Sequence, residues 1–308
     1  MPSISQLFAA SFPAIVADRN RAANQWSESA LMRELQRQGA IQKVDFGATI
    51  EATLDYRRNP GTQVLATDLT PTSLTKTDVL SAASYSIASV SAPIVWSKQD
   101  EASNSTEAQK VDLVDSLINN ALDSHDDILE ATLFTGVNGL IGFDTLITDA
   151  GTGIIGGIDS STDVWWKNQQ ATYTGASDIV AKMIAVWNLC TKGSGSPLTP
   201  RILVSNAATQ ATFEGTQVAN QRFVDTTDLA AGFVTLAFKS ARYVFSQYGG
   251  TRIFMLNPKS YRLLCSRQFF RQKDREQPLE NAEGYKTSVY SALQVVTNNR
   301  SRLGSVHL

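Results

Sequence analysis

Thr49-Ile50-Glu51-Ala52-Thr53-Leu54-Asp55-Tyr56 alternates strictly: Ile50, Ala52, Leu54 and Tyr56 fall on one face, Thr49, Glu51, Thr53 and Asp55 on the other. A period of two marks a half-buried strand. Arg57-Arg58-Asn59-Pro60-Gly61 then reads as a reversal, because Asn-Pro and Pro-Gly both favour turns. The return from Thr75 to Ile94 is rich in Ser, Ala and Val, with Tyr85 and Ile87 as the only large residues on their face. Val44 to Ile94 is therefore expected to form a long two-stranded arm with no core of its own. An isolated hairpin is marginal in water, so a neighbouring subunit is expected to cover it.

A long helix is expected after the arm, from about Ser105 to Thr135. Asn104 and Glu107 stand in an N-cap/N3 relation, and Gly136 is placed to end the helix. Val111, Val114, Leu117, Ile118, Ala121, Leu122, Ile128, Leu129 and Leu133 make its apolar stripe. Such a rod is roughly 45 Å long, against ~11 residues for a usual helix. Before the arm, Arg19 to Gln38 is rich in helix formers, with Trp26, Ala30, Leu31 and Leu35 on one face and Gly39 as a stop. The first forty residues read as an arm plus that short helix.

Downstream, 136–157 is Gly-rich and reads as turns and short strands. Asp159 to Asp163 offers N-cap candidates before Val164-Trp165-Trp166. Asp178 to Cys190 is an amphipathic helix facing Ile179, Met183, Val186, Trp187 and Cys190 inward. Lys192 to Pro200 is a loop, Arg201 to Ser205 a strand and Asn206 to Gly215 a helix. Phe233 to Phe245 and Thr251 to Leu256 read as strands, with Gly249-Gly250 as the turn between them. Lys286 to Val296 returns as a strand to the first domain.

The 308 residues suffice for a substantial core and for two domains. Apolar residues make up 43% and charged residues 18%, so the chain is globular and charge-poor. A formal charge of −2 argues against a strongly basic nucleic-acid binder, while leaving room for local basic patches. Cys190 and Cys265 are too few for a disulfide scaffold and are expected as reduced, buried thiols from a cytosolic folding environment. Met1 to Asn20 lacks the pattern of a signal peptide, and no apolar run approaches the roughly 18 residues of a membrane span. With only His125 and His307 present, most metal and acid–base enzymes are disfavoured.

Each motif with a chemical reading also has a plainer one. Gly151-Thr152-Gly153-Ile154-Ile155-Gly156 spells a dinucleotide fingerprint, but Asp159, Ser160 and Asp163 interrupt the helix it requires, so a Gly-rich turn is expected. His125-Asp126-Asp127, with Asp123 and Glu130, points in several directions on a helix and reads as a solvated acidic face, shared with Asp112 and Asp115. Cys190 and Cys265 lie among apolar residues with no base at hand. Lys192 to Ser196 has its lysine before the glycines, so it is a loop and not a phosphate cradle. Arg267, Arg271, Lys273 and Arg275 flank Phe269 and Phe270. Alternation with Asp274 and Glu276 favours salt bridges at a subunit interface over a nucleic-acid backbone. Trp165-Trp166 is expected to anchor two segments together. No cofactor, metal or catalytic group is assigned.

The order of these parts resembles the major capsid protein of tailed bacteriophages, which has the Hong Kong 97-type capsid fold, an α+β architecture. That order is a short N-terminal arm, an extended hairpin, a spine helix, a Gly-rich crossing, a compact α/β domain and a returning strand. Gly156-Gly157-Ile158-Asp159-Ser160-Ser161-Thr162-Asp163-Val164-Trp165-Trp166-Lys167-Asn168 and Val295-Val296-Thr297-Asn298-Asn299-Arg300-Ser301-Arg302-Leu303-Gly304 look like segments of such proteins. The resemblance implies an N-terminal arm and short helix over 1–43, an extended loop over 44–95 and a peripheral domain over 96–171. An axial domain over 172–285 and a return to the peripheral domain over 286–308 complete it.

It also implies pentamers and hexamers of this chain around double-stranded DNA, bound without sequence preference, with scaffold, portal and decoration proteins as further partners and no membrane. The hairpin tip (Arg57, Arg58, Asn59, Gly61) and the basic run (Arg267, Arg271, Lys273, Arg275) are the expected subunit contacts. Some relatives carry a long N-terminal scaffolding segment; the arm here is too short for one, so a separate scaffold or prior processing is expected. Lys76, Lys98, Asn298 and Asn299 have the chemistry of an intersubunit crosslink, but nothing singles them out and none is expected. An encapsulin, built on the same fold, is the nearest alternative. A nucleotide-binding α/β enzyme using the Gly151–Gly156 loop is a more distant one.

Overall fold

The computed structural model describes residues 3–21, 29–45, 47–56, 62, 64, 78–104, 106–191, 199–217 and 236–308. Trp26, the tip from Arg57 to Gly61, Lys76, Ser105, most of the Lys192–Pro200 loop and Phe233 lie outside them.

Among the described residues, two six-stranded sheets organise the chain. The first is built on the long strand Gly284–Thr297, which pairs over ten residues with Ala88–Ser97, antiparallel, from Gly284↔Ser97 to Leu293↔Ala88. Its other side carries Tyr261–Ser266, then Gln272–Lys273 and Gln277–Pro278, and Ile41–Val44 adds in parallel to Tyr261–Ser266. The second sheet runs in the order Gln169–Thr172, Gly304–His307, Ile253–Leu256, Ile202–Ser205, Ala241–Phe245, Leu236–Phe238.

The spine helix spans Glu107–Thr135, and its 29 residues make a rod of about 43 Å. It lies against Ala88–Ser97, burying Val114, Ile118, Ala121 and Leu122 with Ala92, Ile94, Trp96 and Val289. Leu129, Leu133 and Phe134 continue the stripe into the main core. Ile128, placed in that stripe by spacing, is half exposed. Thr106 and Gln109 form the capping box, whereas Asn104 closes a separate short helix, Lys98–Ser103. The N-cap is thus two residues later than expected, because the preceding turn is a helix in its own right.

The N-terminal segment is not an arm but an 18-residue helix, Ile4–Arg21, packed along the spine helix. Ile4, Phe8 and Phe12 are buried, and Phe8 stacks on Trp96 at 4.9 Å. Ser3 and Gln6 exchange hydrogen bonds at its start, a capping-box pair legible in the sequence. A second helix, Ala30–Arg37, ends before Gly39, which takes φ +70°.

Ile202–Ser205 is buried on both faces. Leu203 faces the helices Ile179–Cys190 and Ala207–Gln217 across a core with Met183, Val186, Trp187, Phe213 and Met255. Ile202 and Val204 face the main core with Phe143, Phe254 and Tyr261. Sheet membership therefore crosses the linear order of the elements. Tyr261–Ser266 and the two short strands after it, assigned to the axial region, belong to the first sheet. Gly304–His307, assigned to the peripheral region, belongs to the second. Ala241–Phe245 and Ile253–Leu256, strands expected with a turn between them, do not pair with each other; both flank Ile202–Ser205. Non-local pairing of this kind leaves no mark on the linear order of elements.

Candidate assembly interface

The root of the arm is a two-stranded ribbon, Thr49–Asp55 against Leu80–Ser86, in register from Thr49↔Ser86 to Asp55↔Leu80. The alternating face is as expected, but its cover is not. Ile50, Leu54, Ala83 and Tyr85 are buried in the chain's own main core. The Tyr85 hydroxyl donates to the Thr297 carbonyl at 2.8 Å, and burial raises its pKa further above the ordinary phenol value. Gln294 donates to the Gly139 carbonyl at 2.8 Å and to the Ser86 carbonyl at 2.5 Å. The ribbon's described root therefore rests on its own chain, contrary to the expectation that a neighbour would cover it.

What carries it is the Gly-rich segment. Ile154-Ile155 and Ile158-Asp159 pair as a small hairpin closed by Gly156 and Gly157, at φ +61° and +80°. Two positive φ values give the primed turn that suits a two-residue hairpin loop. The Gly156 carbonyl accepts from the Ser84 amide at 3.0 Å, and a Cβ on Gly156 would stand 2.6 Å from that of Ala83. No helix follows the glycines, so the nucleotide-loop alternative falls and the turn reading stands.

Trp165 and Trp166 act as the expected anchor. Trp166 is fully buried and donates to the Ile155 carbonyl at 3.1 Å. Trp165 stacks on Tyr56 at 4.8 Å and donates to Asp163. A cavity of about 270 Å³ opens beside this stack, between Tyr56 and Trp165 on one side and Asn298, Asn299 and Ser301 on the other.

The basic run divides in two. Arg271 is buried and makes a two-oxygen contact with Asp126 of the spine helix, at 2.6 and 2.5 Å. Lys273 pairs with Glu276, which also accepts from Ser5, and its ammonium lies 5.3 Å over the Phe8 ring. Both are engaged within the chain, Arg271 by the spine helix and Lys273 beside the N-terminal helix. Alternating charge did predict salt bridges, but within one chain. Arg267, 3.5 Å from Asp45, and Arg275 are exposed. The tip residues Arg57, Arg58, Asn59 and Gly61 lie outside the described residues.

The acidic face of the spine helix is only partly solvated, another correction. His125 is buried, with Nδ1 3.2 Å from the Asp126 carboxylate. Asp127 accepts from the Tyr248 hydroxyl at 2.5 Å, and Glu130 from Ser246 at 2.6 Å. These carboxylates hold the 246–248 turn in place. Among the described residues, no three His, Cys, Asp or Glu side chains gather to hold a metal ion. Cys190 and Cys265 are buried and form no disulfide, and burial pushes the Cys265 thiol up to about 12.

Sequence reasoning missed Arg300. It is fully buried; Nε donates to the Leu146 carbonyl at 2.7 Å, and Nη1 to Ser160 at 2.9 Å and the Gly153 carbonyl at 3.2 Å. Burial lowers its pKa to about 10, still charged at neutral pH. It ties the C-terminal turn to the hairpin under the arm. No local signal separates it from its neighbour Arg302, because its partners lie some 140 to 154 residues earlier in the chain.

No protein-family model and no curated protein matches the chain by sequence. Solved structures do match by fold. The capsid asymmetric unit of cyanophage A-1(L) is 16% identical with a TM-score of 0.61, over 89% of this chain and 92% of that one. The capsid of the native GTA particle is 13% identical with a TM-score of 0.61, over 88% of each. An encapsulin of Synechococcus elongatus PCC 7942, in the holo-SrpI complex, is 10% identical with a TM-score of 0.53, over 86% and 83%. The chain has the α+β fold of phage capsid proteins, the Hong Kong 97 type.

Proposed function

We propose that this protein is the major capsid protein of a tailed phage, whose copies close into an icosahedral shell around double-stranded DNA. The supporting observation is a capsid fold matched along about nine-tenths of this chain and of the cyanophage chain. Pentamers and hexamers of the chain would make the shell, with portal, scaffold and decoration proteins as further partners. The protein would sit in the virion capsid after assembly in the bacterial cytoplasm. No catalytic step is assigned to it.

The chemistry is compatible with a wall. A closed cage needs one chain to make several heterologous contacts with itself, and a charge-poor, Ser/Thr/Ala-rich surface covers area without stranding ions. A formal charge of −2 encloses DNA without gripping its phosphates. The likeness to an encapsulin favours a second reading, a cellular compartment built on the same fold.

The test is expression alone and with the genes that flank it, followed by electron microscopy and nuclease protection of the particle contents. Closed shells that package nuclease-resistant DNA when portal and terminase are supplied support the phage reading. Small shells carrying a co-purified protein cargo support the compartment. A monomer that never assembles under either condition refutes both.

A further inference from the structure

Ala88–Ser97 is an edge strand: among the described residues only Gly284–Thr297 pairs with it, on one side. Its ten residues alternate, with Ala88, Ala92, Ile94 and Trp96 buried and Ser89, Ser91, Pro93 and Val95 exposed. A free edge of that length, with one apolar face, is a template on which another chain can add a strand.

The register fixes which backbone groups face outward. Pro93 pairs with Ser288, and proline has no N–H to give, so this is a non-hydrogen-bonded pair with its backbone turned to the free side. By alternation, Ser89, Ser91, Val95 and Ser97 also point outward, while Ala92 and Ile94 bond to the long strand. Of these five outward positions, Ser97 gives its amide to the Asp100 carboxylate at 2.9 Å, inside the capping box of the next helix. Pro93 interrupts the three that remain. A ten-residue edge is thereby reduced to two short, separated pieces.

We propose that Pro93 is a specificity residue for self-association, closing this edge against strand addition from a second copy so that copies meet through other surfaces. The ribbon strand Thr49–Asp55 offers the contrast. Ser84 uses its outward amide on Gly156, so its partner Glu51 also points outward, and with it Thr49, Thr53 and Asp55. That edge contains no proline.

The experiment compares full-length wild type, Pro93→Thr and the double variant Ser91→Pro/Pro93→Thr. Pro93 is exposed, so Pro93→Thr leaves the core intact while restoring an unbroken row of outward amides from Ser89 to Val95. The double variant recloses the edge from a neighbouring outward position, without removing an internal ladder bond. Sedimentation velocity over a concentration series reads association, and electron microscopy reads particle form. Pro93→Thr is expected to associate at a concentration lower by roughly tenfold or more, as open irregular polymers, and the double variant to return to wild-type behaviour. Equal sedimentation of wild type and Pro93→Thr would overturn the proposal. So would polymers that persist in the double variant, since they would then arise from something other than the edge. The comparison is read whether or not wild type closes into shells, so failure of the capsid reading and failure of this inference are separable.

Discussion

Replacing Arg271 by Met tests which surface the basic run serves. The guanidinium is fully buried and meets both oxygens of Asp126, whose side chain is 21% exposed. Removing one partner of a buried ion pair costs about 3–5 kcal/mol, because the other charge is left without compensation. Partial exposure of Asp126, and the nearby imidazole of His125, place this case at the lower end, about 3 kcal/mol. Met occupies much of the vacated volume, so little cavity cost is added. Arg271 has φ +53°, but Met inherits the same backbone and that strain cancels in the comparison. At about 2 °C per kcal/mol for a chain of this size, the unassembled subunit should melt about 6 °C lower. Circular dichroism on dissociated subunits makes the measurement, with Arg275→Met as the exposed control that leaves melting unchanged. Adding Asp126→Asn to Arg271→Met should recover part of the loss, since the stranded charge goes with it. If Arg271→Met melts like wild type while particle yield collapses, Arg271 is a subunit contact and the intrachain assignment is wrong.

Burial raises the pKa of Tyr85, Tyr243 and Tyr261, and lifts the Cys265 thiol to about 12. The unfolded chain then sheds these protons at lower pH than the native one, so stability should fall from about pH 9 upward, as the ordinary thiol and then phenol ranges are passed. An absorbance titration at alkaline pH should show these three tyrosines ionising only in step with loss of circular dichroism. Gly156→Ala puts a side chain at φ +61° and 2.6 Å from Ala83, so it should cost about 2 kcal/mol and open the arm root to protease; an unchanged cleavage rate would show the contact to be slack. Tyr85→Phe removes a hydroxyl that donates to the Thr297 carbonyl and accepts from the Thr297 amide, and should cost about 1 kcal/mol in urea unfolding, with faster amide exchange at Ser84 and Thr297.

Elements governed by local periodicity were legible. The inward set of Ile179–Cys190 is the set its spacing names, and the ribbon Thr49–Asp55 has the faces its alternation requires. The N-terminal helix could also have been read: Ile4, Phe8 and Phe12 recur every four residues behind a Ser3/Gln6 capping pair, although Pro13 obscures the pattern. What stayed hidden was choice of partner. Arg271 and Arg275 look alike in the chain, yet one is buried on Asp126 and the other faces solvent. Which charge goes inside depends on Ser291 of the long strand holding the Arg271 amide and on Asp126 of the spine helix, 145 residues away, meeting its guanidinium. Sheet membership of Tyr261–Ser266 and Gly304–His307 was hidden for the same reason.

The arm shows how far such a pattern can be pressed. Alternation establishes that one face of Thr49–Tyr56 must be covered, because an isolated ribbon is marginal. It does not say by whom, since a neighbour's surface and the chain's own hairpin satisfy the same requirement. Here Gly156, Tyr85 and Trp165 supply the cover from within, so the root needs no second copy to stay folded. The case for a shell therefore rests on the fold and not on an orphaned ribbon. A subunit whose root is anchored and whose longest edge is interrupted by Pro93 can exist as a folded body before it meets another. On the proposed reading, its contacts with other copies would be docking between preformed surfaces rather than folding coupled to assembly.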